Sequence, residues 1–194
     1  MKTDETDRNR RLLVVGAVRA IVARDGLDGL TMRGVAEEAG FSLGMVQRLF
    51  TTKDEMLRAA MNSVVAELGE RVAMLGKQPS ARAALRRLAV LLLGVDGLDR
   101  DTALVWLAFA ARAAVSPELA HELRGHYAPA QRSVRQVLTA AQRRGELAPG
   151  VRPEPEAVAL LALIDGLTVQ LAVGLVEDSR ARALTTMRVD SLFA

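Results

Sequence analysis

The sequence predicts an all-α protein: an N-terminal helix-turn-helix unit of three helices, followed by a larger C-terminal helical bundle that dimerises. Three observations point there. Apolar residues make up 50% of the 194 residues and aromatic ones only 3%, a balance that favours helix over sheet. Apolar positions recur at helical spacing in one segment after another. The intervals between segments carry helix-stopping glycines and helix-starting serine, threonine or proline.

The first segment, about 8–25, repeats Leu12, Val15, Val18, Ile21 and Val22 and stops at DGLDGL. Thr31 then stands where an N-cap belongs, ahead of MRGVAEEAG, in which Met32, Val35, Ala36 and Ala39 share a face and Gly40 offers a left-handed stop. Ser42 is the N-cap candidate for SLGMVQRLF. A capping box, Thr52 with Glu55, opens a long pattern reaching about residue 75. After GKQPS the patterns lengthen to about 81–94, 100–115, 117–144 and 154–177, with a weaker one near 180–192. Ser80 after Pro79, and Ser116 with Pro117 at the first helical position, start two of these. The expected division is 1–52 for the helix-turn-helix unit and 53–194 for the bundle.

Several function classes lose support at once. The chain has no cysteine, which removes disulfides, thiolate nucleophiles and cysteine-based zinc sites. MKTDETDRNRR lacks the apolar stretch of a secretory signal, so a cytoplasmic location is expected. Residues 157–176 approach membrane-spanning length, but Asp165 and Gln170 interrupt them and no interfacial Trp or Tyr flanks them. A helix apolar all round is better read as buried on both sides, against its own core and against a partner subunit. His121 and His126 lie five residues apart and share no helical face, so no metal site is expected, and neither a cofactor nor a catalytic set is discernible. A net charge of +3 permits a polyanionic partner without requiring one.

Residues 40–50, GFSLGMVQRLF, carry the most specific chemistry. In projection Val46, Leu49 and Phe50 cluster on one side, Gly44, Gln47 and Arg48 face away, and Leu43 and Met45 flank them. With the preceding short helix and a glycine turn, this forms a helix-turn-helix pattern, whose second helix enters a DNA major groove. Arg48 suits guanine, Gln47 an adenine or a phosphate, and Leu43 or Met45 a thymine methyl, while Gly44 allows close approach. On pattern alone, an ordinary glycine-bearing helical hairpin fits equally well.

The stretch LTMRGVAEEAGFSLGMVQRLFTTKDEML, residues 30–57, resembles the DNA-binding domain of the TetR family of transcriptional regulators in its Thr, Val-Ala, Ala-Gly, Ser, Phe and Lys-Asp-Glu at these spacings. The resemblance implies that Thr31 caps its helix against a phosphate, that Ser42 to Arg48 read the groove, and that Lys53 binds a phosphate at the start of the next helix. Arg33 joins this candidate set, and Arg8, Arg10 and Arg11 are either an extension of the basic footprint or solvated terminal charges. At Gln47 the family usually has a tyrosine, and at Leu49 often a histidine or tyrosine; this chain departs from both.

ALLALIDGLTVQLAVG, residues 159–174, is similar to a long C-terminal helix of the branch that includes the choline-responsive regulator of betaine synthesis. The fold expectation is carried over, not the ligand. A ligand pocket is expected between segments 81–94, 100–115 and 117–144, with Trp106, Phe109, Arg112, Tyr127 and Asp165 as candidates. So few aromatics argue against a quaternary-ammonium cage and for an apolar or anionic ligand at Arg112. Asp165 reads either as a paired interface carboxylate or as a pocket acid. The function expected is a homodimeric repressor on palindromic double-stranded DNA, released by a small-molecule effector; the alternative is a helical enzyme or carrier without DNA function.

Overall fold

The computed structural model describes residues 2–94 and 100–194, with side chains from residue 7 onward. Among the described residues there are nine helices: α1 (Lys2–Gly29), α2 (Met32–Ala39), α3 (Leu43–Leu49), α4 (Lys53–Ala73), α5 (Ala81–Leu93), α6 (Arg100–Ala113), α7 (Pro117–Arg143), α8 (Pro153–Ala172) and α9 (Asp178–Asp190). The all-α expectation holds. One compact unit takes α1 to α3, α4 through Glu67, α6, and the chain as far as Ala120. The other takes α4 from Leu68, α5, α7 from His121, α8 and α9.

In the first unit α1 packs against α2 and α6. Its buried side includes Val14, Val15, Val18, Ile21 and Val22, which accounts for the period seen in the sequence except at Leu12, which is exposed. The helical geometry of α1 breaks at Gly26, with φ 68° and ψ −164°, a region open to glycine and closed to residues with a Cβ. That break falls inside the DGLDGL stop. At the other end α1 reaches back past residue 8, since the polar start contains neither Gly nor Pro; Arg10 pairs with Asp7 one turn away at 3.1 Å. Arg19 donates to the buried Thr102 hydroxyl at 2.8 Å and to Glu67 at 3.3 Å, so α1, α4 and α6 share one polar cross-link.

The second unit is built on α5, which packs against α8 and α9. Leu85 and Leu88 of α5, Leu138 of α7, Leu160 and Ile164 of α8 and Val189 of α9 belong to one apolar cluster. Each such leucine contributes about 1.5–3 kcal/mol by leaving water. The C-terminus is pinned in a way the sequence did not announce: Ala148 N–H donates to Leu192 at 3.0 Å, Ala194 N–H donates to Glu146 at 2.9 Å, and Arg82 lies 5.4 Å over the Phe193 ring.

α8 ends at Ala172, earlier than the apolar run suggests, and Gly174 turns the chain at φ 74°. By length and composition it could cross a membrane. Its inner residues Ala157, Leu160, Leu161, Ile164 and Leu167 nonetheless belong to the core cluster. Its other side leaves Val158 51% and Val169 42% exposed, with Val173 just beyond at 63%, and Ala162 and Gly166 exposed between them.

Candidate nucleic-acid interface

α2 and α3 are both too short to persist alone, and each is fixed by local hydrogen bonding. Thr31 has extended backbone and its Oγ1 accepts from Gly34 N–H at 3.0 Å, closing the start of α2. A Cβ on Gly34 would stand 3.1 Å from that oxygen, so glycine leaves the cap undisturbed. This role of Gly34 was not read from the sequence; its place three residues after the cap was the available signal. At the end of α2, Gly40 is left-handed at φ 70°, its N–H donates to Glu37, and Phe41 N–H donates to Ala36 at 2.9 Å. These two bonds form a Schellman stop, which turns the chain without leaving carbonyls bare.

Ser42 then caps α3, accepting from Met45 N–H at 3.3 Å. Val46 and Phe50 are fully buried and Leu49 partly so, which docks the helix. Ser42, Gly44, Gln47 and Arg48 are exposed, with Leu43 and Met45 half-buried at the flanks. Among the described residues nothing beyond its own helix lies within 4 Å of where a Cβ on Gly44 would be, so that part of the outer face is open. Among the described residues Arg48 reaches only Met45 Sδ, at 3.6 Å, and its charge remains available. Thr31 and Arg33 are exposed at the start of α2.

Lys53 opens α4, exposed, with its ammonium donating to the Leu27 carbonyl beside the Gly26 break. An ammonium has three N–H donors, so that bond leaves others for a phosphate. Thr52 accepts from Glu55 N–H at 3.0 Å, and Glu55 accepts from the Thr51 amide at 2.7 Å and its hydroxyl at 3.0 Å. The amide bond from Thr51 is the main reason the Glu55 carboxyl sits below its usual range; the nearby Arg11 charge adds to it.

The arginines near the N-terminus divide. Arg10 pairs with Asp7, and Arg11 donates to the Leu49 carbonyl at 2.9 Å while stacking 4.2 Å over the Phe50 ring. Arg24 bridges Asp25 and Glu38, tying α1 to α2.

The five ligand candidates divide between the two units. Trp106, Phe109 and Arg112 lie in the first unit, Tyr127 and Asp165 in the second. Phe109 is fully buried. Arg112 is held fork to fork by Asp54, both bonds at 2.9 Å. This pair lines a cleft of about 390 Å³ with Leu27, Thr52, Lys53 and Leu57. Tyr127 and Asp165 do meet: the phenol donates to the carboxylate at 2.6 Å. Burial pushes the Asp165 carboxyl above its usual range, against the Tyr127 bond, which lowers it. Acids elsewhere, such as Asp54, Glu67 and Asp190, meet arginines. Asp165 meets none among the described residues.

Comparison with known proteins agrees with this geometry. Residues 14–60 match the family described as bacterial regulatory proteins, tetR family, and residues 79–194 match BetI-type transcriptional repressor, C-terminal. The chain is 28% identical over 180 residues to the HTH-type transcriptional regulator BetI of Brucella anthropi, covering 90% of this chain and 87% of that one. It is 27% identical to the HTH-type nicotine-responsive transcriptional repressor HdnoR of Paenarthrobacter nicotinovorans, covering 88% and 86%. A solved transcriptional regulator from Rhodococcus sp. Rha1 superimposes with a TM-score of 0.83 at 30% identity, over 94% of this chain and 95% of that one. The fold is also that of a transcriptional regulator from Saccharomonospora viridis in complex with choline, with a TM-score of 0.82 at 24% identity and 94% of each chain covered.

Proposed function

Because the chain belongs to the TetR family of DNA-binding transcriptional regulators, with a C-terminal region of the BetI repressor type, we propose that it acts as a homodimeric repressor on a palindromic operator. The observation that carries this reading is the outward presentation of Ser42, Gly44, Gln47 and Arg48 on a helix docked by Val46 and Phe50. Arg48 is assigned to a guanine, Gln47 to an adenine or a phosphate, and Leu43 and Met45 to apolar contact with bases. Thr31, Arg33 and Lys53 hold phosphates on either side and so fix the register of α3. Residues 1–52 are the DNA-binding part and 53–194 the part that dimerises and binds effector.

The exposed valines of α8, with Ala162 and Gly166 between them, support dimerisation through that face. Small residues let a partner helix approach closely, and apolar ones gain by leaving water. A two-fold dimer places its two reading helices roughly one helical turn apart, about 34 Å, and so prefers an inverted repeat.

The effector is assigned to the second unit, at the Tyr127–Asp165 pair. An anion at Arg112 would have to share the guanidinium with Asp54, which takes two of its donors. A half-buried carboxylate without an arginine suits a small molecule that carries a positive nitrogen, which reverses the expectation drawn from the few aromatics, because here a carboxylate rather than an aromatic cage would balance the charge. Nicotine and choline, for which one relative is named and with which one fold neighbour was solved, both answer that description. Effector binding shifts the population away from the arrangement that holds DNA.

The test is selection from a randomised duplex pool by the full-length protein. An inverted repeat bound by two chains, and released by a protonated or quaternary amine but not by a carboxylate, is the expected outcome. Recovery of sequences without two-fold symmetry, or release by carboxylates alone, contradicts the operator and effector assignments respectively.

A further inference from the structure

We propose that Arg11 is a positioning residue for DNA reading: from α1 it clamps the C-terminal end of α3 and thereby sets where Gln47 and Arg48 stand. The inference rests on the DNA-reading role proposed for α3. It assigns Arg11 a different job from the terminal arginines that merely add positive charge.

α3 has seven residues, well below the length at which a helix persists unaided. Its position is therefore set by what holds its two ends. The N-terminal end has the Ser42 cap. At the other end the last carbonyls of a helix lack internal partners, and the Arg11 guanidinium donates to one of them, that of Leu49, at 2.9 Å. A cation there also meets the negative end of the helix dipole.

The same guanidinium lies 4.2 Å over the ring of Phe50, a side chain with no exposed surface. One planar group thus grips the backbone and rests on a ring that cannot move without opening the core. The contact joins positions 38 residues apart. It continues into the junction with α4, where Thr51, Thr52 and Glu55 bond one another. Gln47 and Arg48 sit in the turn immediately before Leu49, so a shift at the clamp displaces them directly. Base reading needs side chains held within about half an ångström, and loss of the clamp relaxes that placement.

The alternative, in which Arg11 touches a DNA phosphate, differs in ways that can be measured. A phosphate accepts lysine nearly as well as arginine, whereas an ammonium cannot both lie flat on a ring and donate sideways as a guanidinium does. A lost phosphate contact also lowers the salt slope of binding by about 0.9, for specific and scrambled DNA alike. A positioning residue leaves that slope unchanged.

The experiment compares wild type, Arg11→Ala and Arg11→Lys, as full-length protein, on the palindromic duplex that wild type selects and on a scrambled duplex of equal length, across a salt series. We expect both variants to lose roughly ten-fold in affinity for the selected duplex, the order of one base contact, to match wild type on the scrambled duplex, and to keep its salt slope. Arg11→Lys decides the matter if Arg11→Ala fails to give a cooperative melt. Near-wild-type binding by Arg11→Lys, an equal loss on both duplexes, or a fall in slope overturns the positioning role. A wild type that does not distinguish the duplexes overturns the proposed function with it, whereas a discriminating wild type with equally discriminating variants overturns this inference alone.

Discussion

α3 and α8 solve opposite problems. α3 is too short to hold itself, and it is fixed by polar groups at both ends and buried by Val46 and Phe50 alone, with Leu49 half-covered. α8 is long, starts without a side-chain cap, and is held by a row of core residues along one side. Their exposed faces differ accordingly. α3 turns out Ser42, Gly44, Gln47 and Arg48, whereas α8 turns out Val158, Ala162, Gly166 and Val169. A fixed polar face suits a partner read by hydrogen bonds, and a smooth apolar face suits another copy of itself. The difference teaches that what a helix exposes is more informative about function than how hydrophobic it is.

The largest expected effect breaks the contrast at α8. Placing carboxylates there, Val158→Asp with Val169→Asp, would bury unpaired charge in the proposed interface at a cost on the order of 3–5 kcal/mol per site. Sedimentation should find a helical monomer that no longer retains the operator; an unchanged dimer would mean that this face is not the interface. Next comes α3 itself. Arg48→Ala should weaken operator binding by about 1–3 kcal/mol and relax preference at a single base pair in each half-site. Uniform weakening at every position would move Arg48 to the phosphates.

Asp165 tests the inner side of α8. Its carboxyl is raised in the folded chain above the 3.8 of a free aspartate. The fold therefore favours the neutral form, and that stabilisation is complete below the free value and is lost as pH rises through the folded one. Asp165→Asn should accordingly melt higher than wild type at neutral pH yet respond less to an amine effector. In wild type, amine affinity should increase as pH climbs through the same range, since only the ionised carboxylate attracts a cation. An amine response that ignores both pH and Asp165→Asn would place the effector elsewhere.

The smallest effects compare two caps of the same chemistry. Ser42→Ala and Ser80→Ala each remove a hydroxyl that accepts an N–H three residues on, and each should cost about 1 kcal/mol in thermal unfolding. Only Ser42→Ala should also weaken operator binding. Equal effects on DNA from both would mean that the cap of α3 acts through general stability.

Much of this was legible in the chain. Thr31, Gly40 and Ser42 announce their caps by residue type and spacing, and the structure places all three where those signals put them. The inward and outward sets on α3 follow from helical projection alone. What was not legible depends on side chains meeting across sequence. Nothing local marks Arg11 as the partner of Leu49 and Phe50, or Arg112 as the partner of Asp54, because an arginine reads alike whether it faces solvent, phosphate or a carboxylate. The division of the ligand candidates between the two units was hidden for the same reason. Helical spacing grouped Trp106, Phe109 and Arg112 on one helix, but it carries no information on which neighbouring element each side chain faces.

The most direct test of the account is the affinity and stoichiometry of the full-length protein on its selected duplex, against a scrambled duplex at physiological salt. A homodimeric repressor on an inverted repeat should give two chains per duplex and a preference of at least about 1,000-fold, the lower range for specific DNA binders. One chain per duplex, or nearly equal affinity for both, would contradict it.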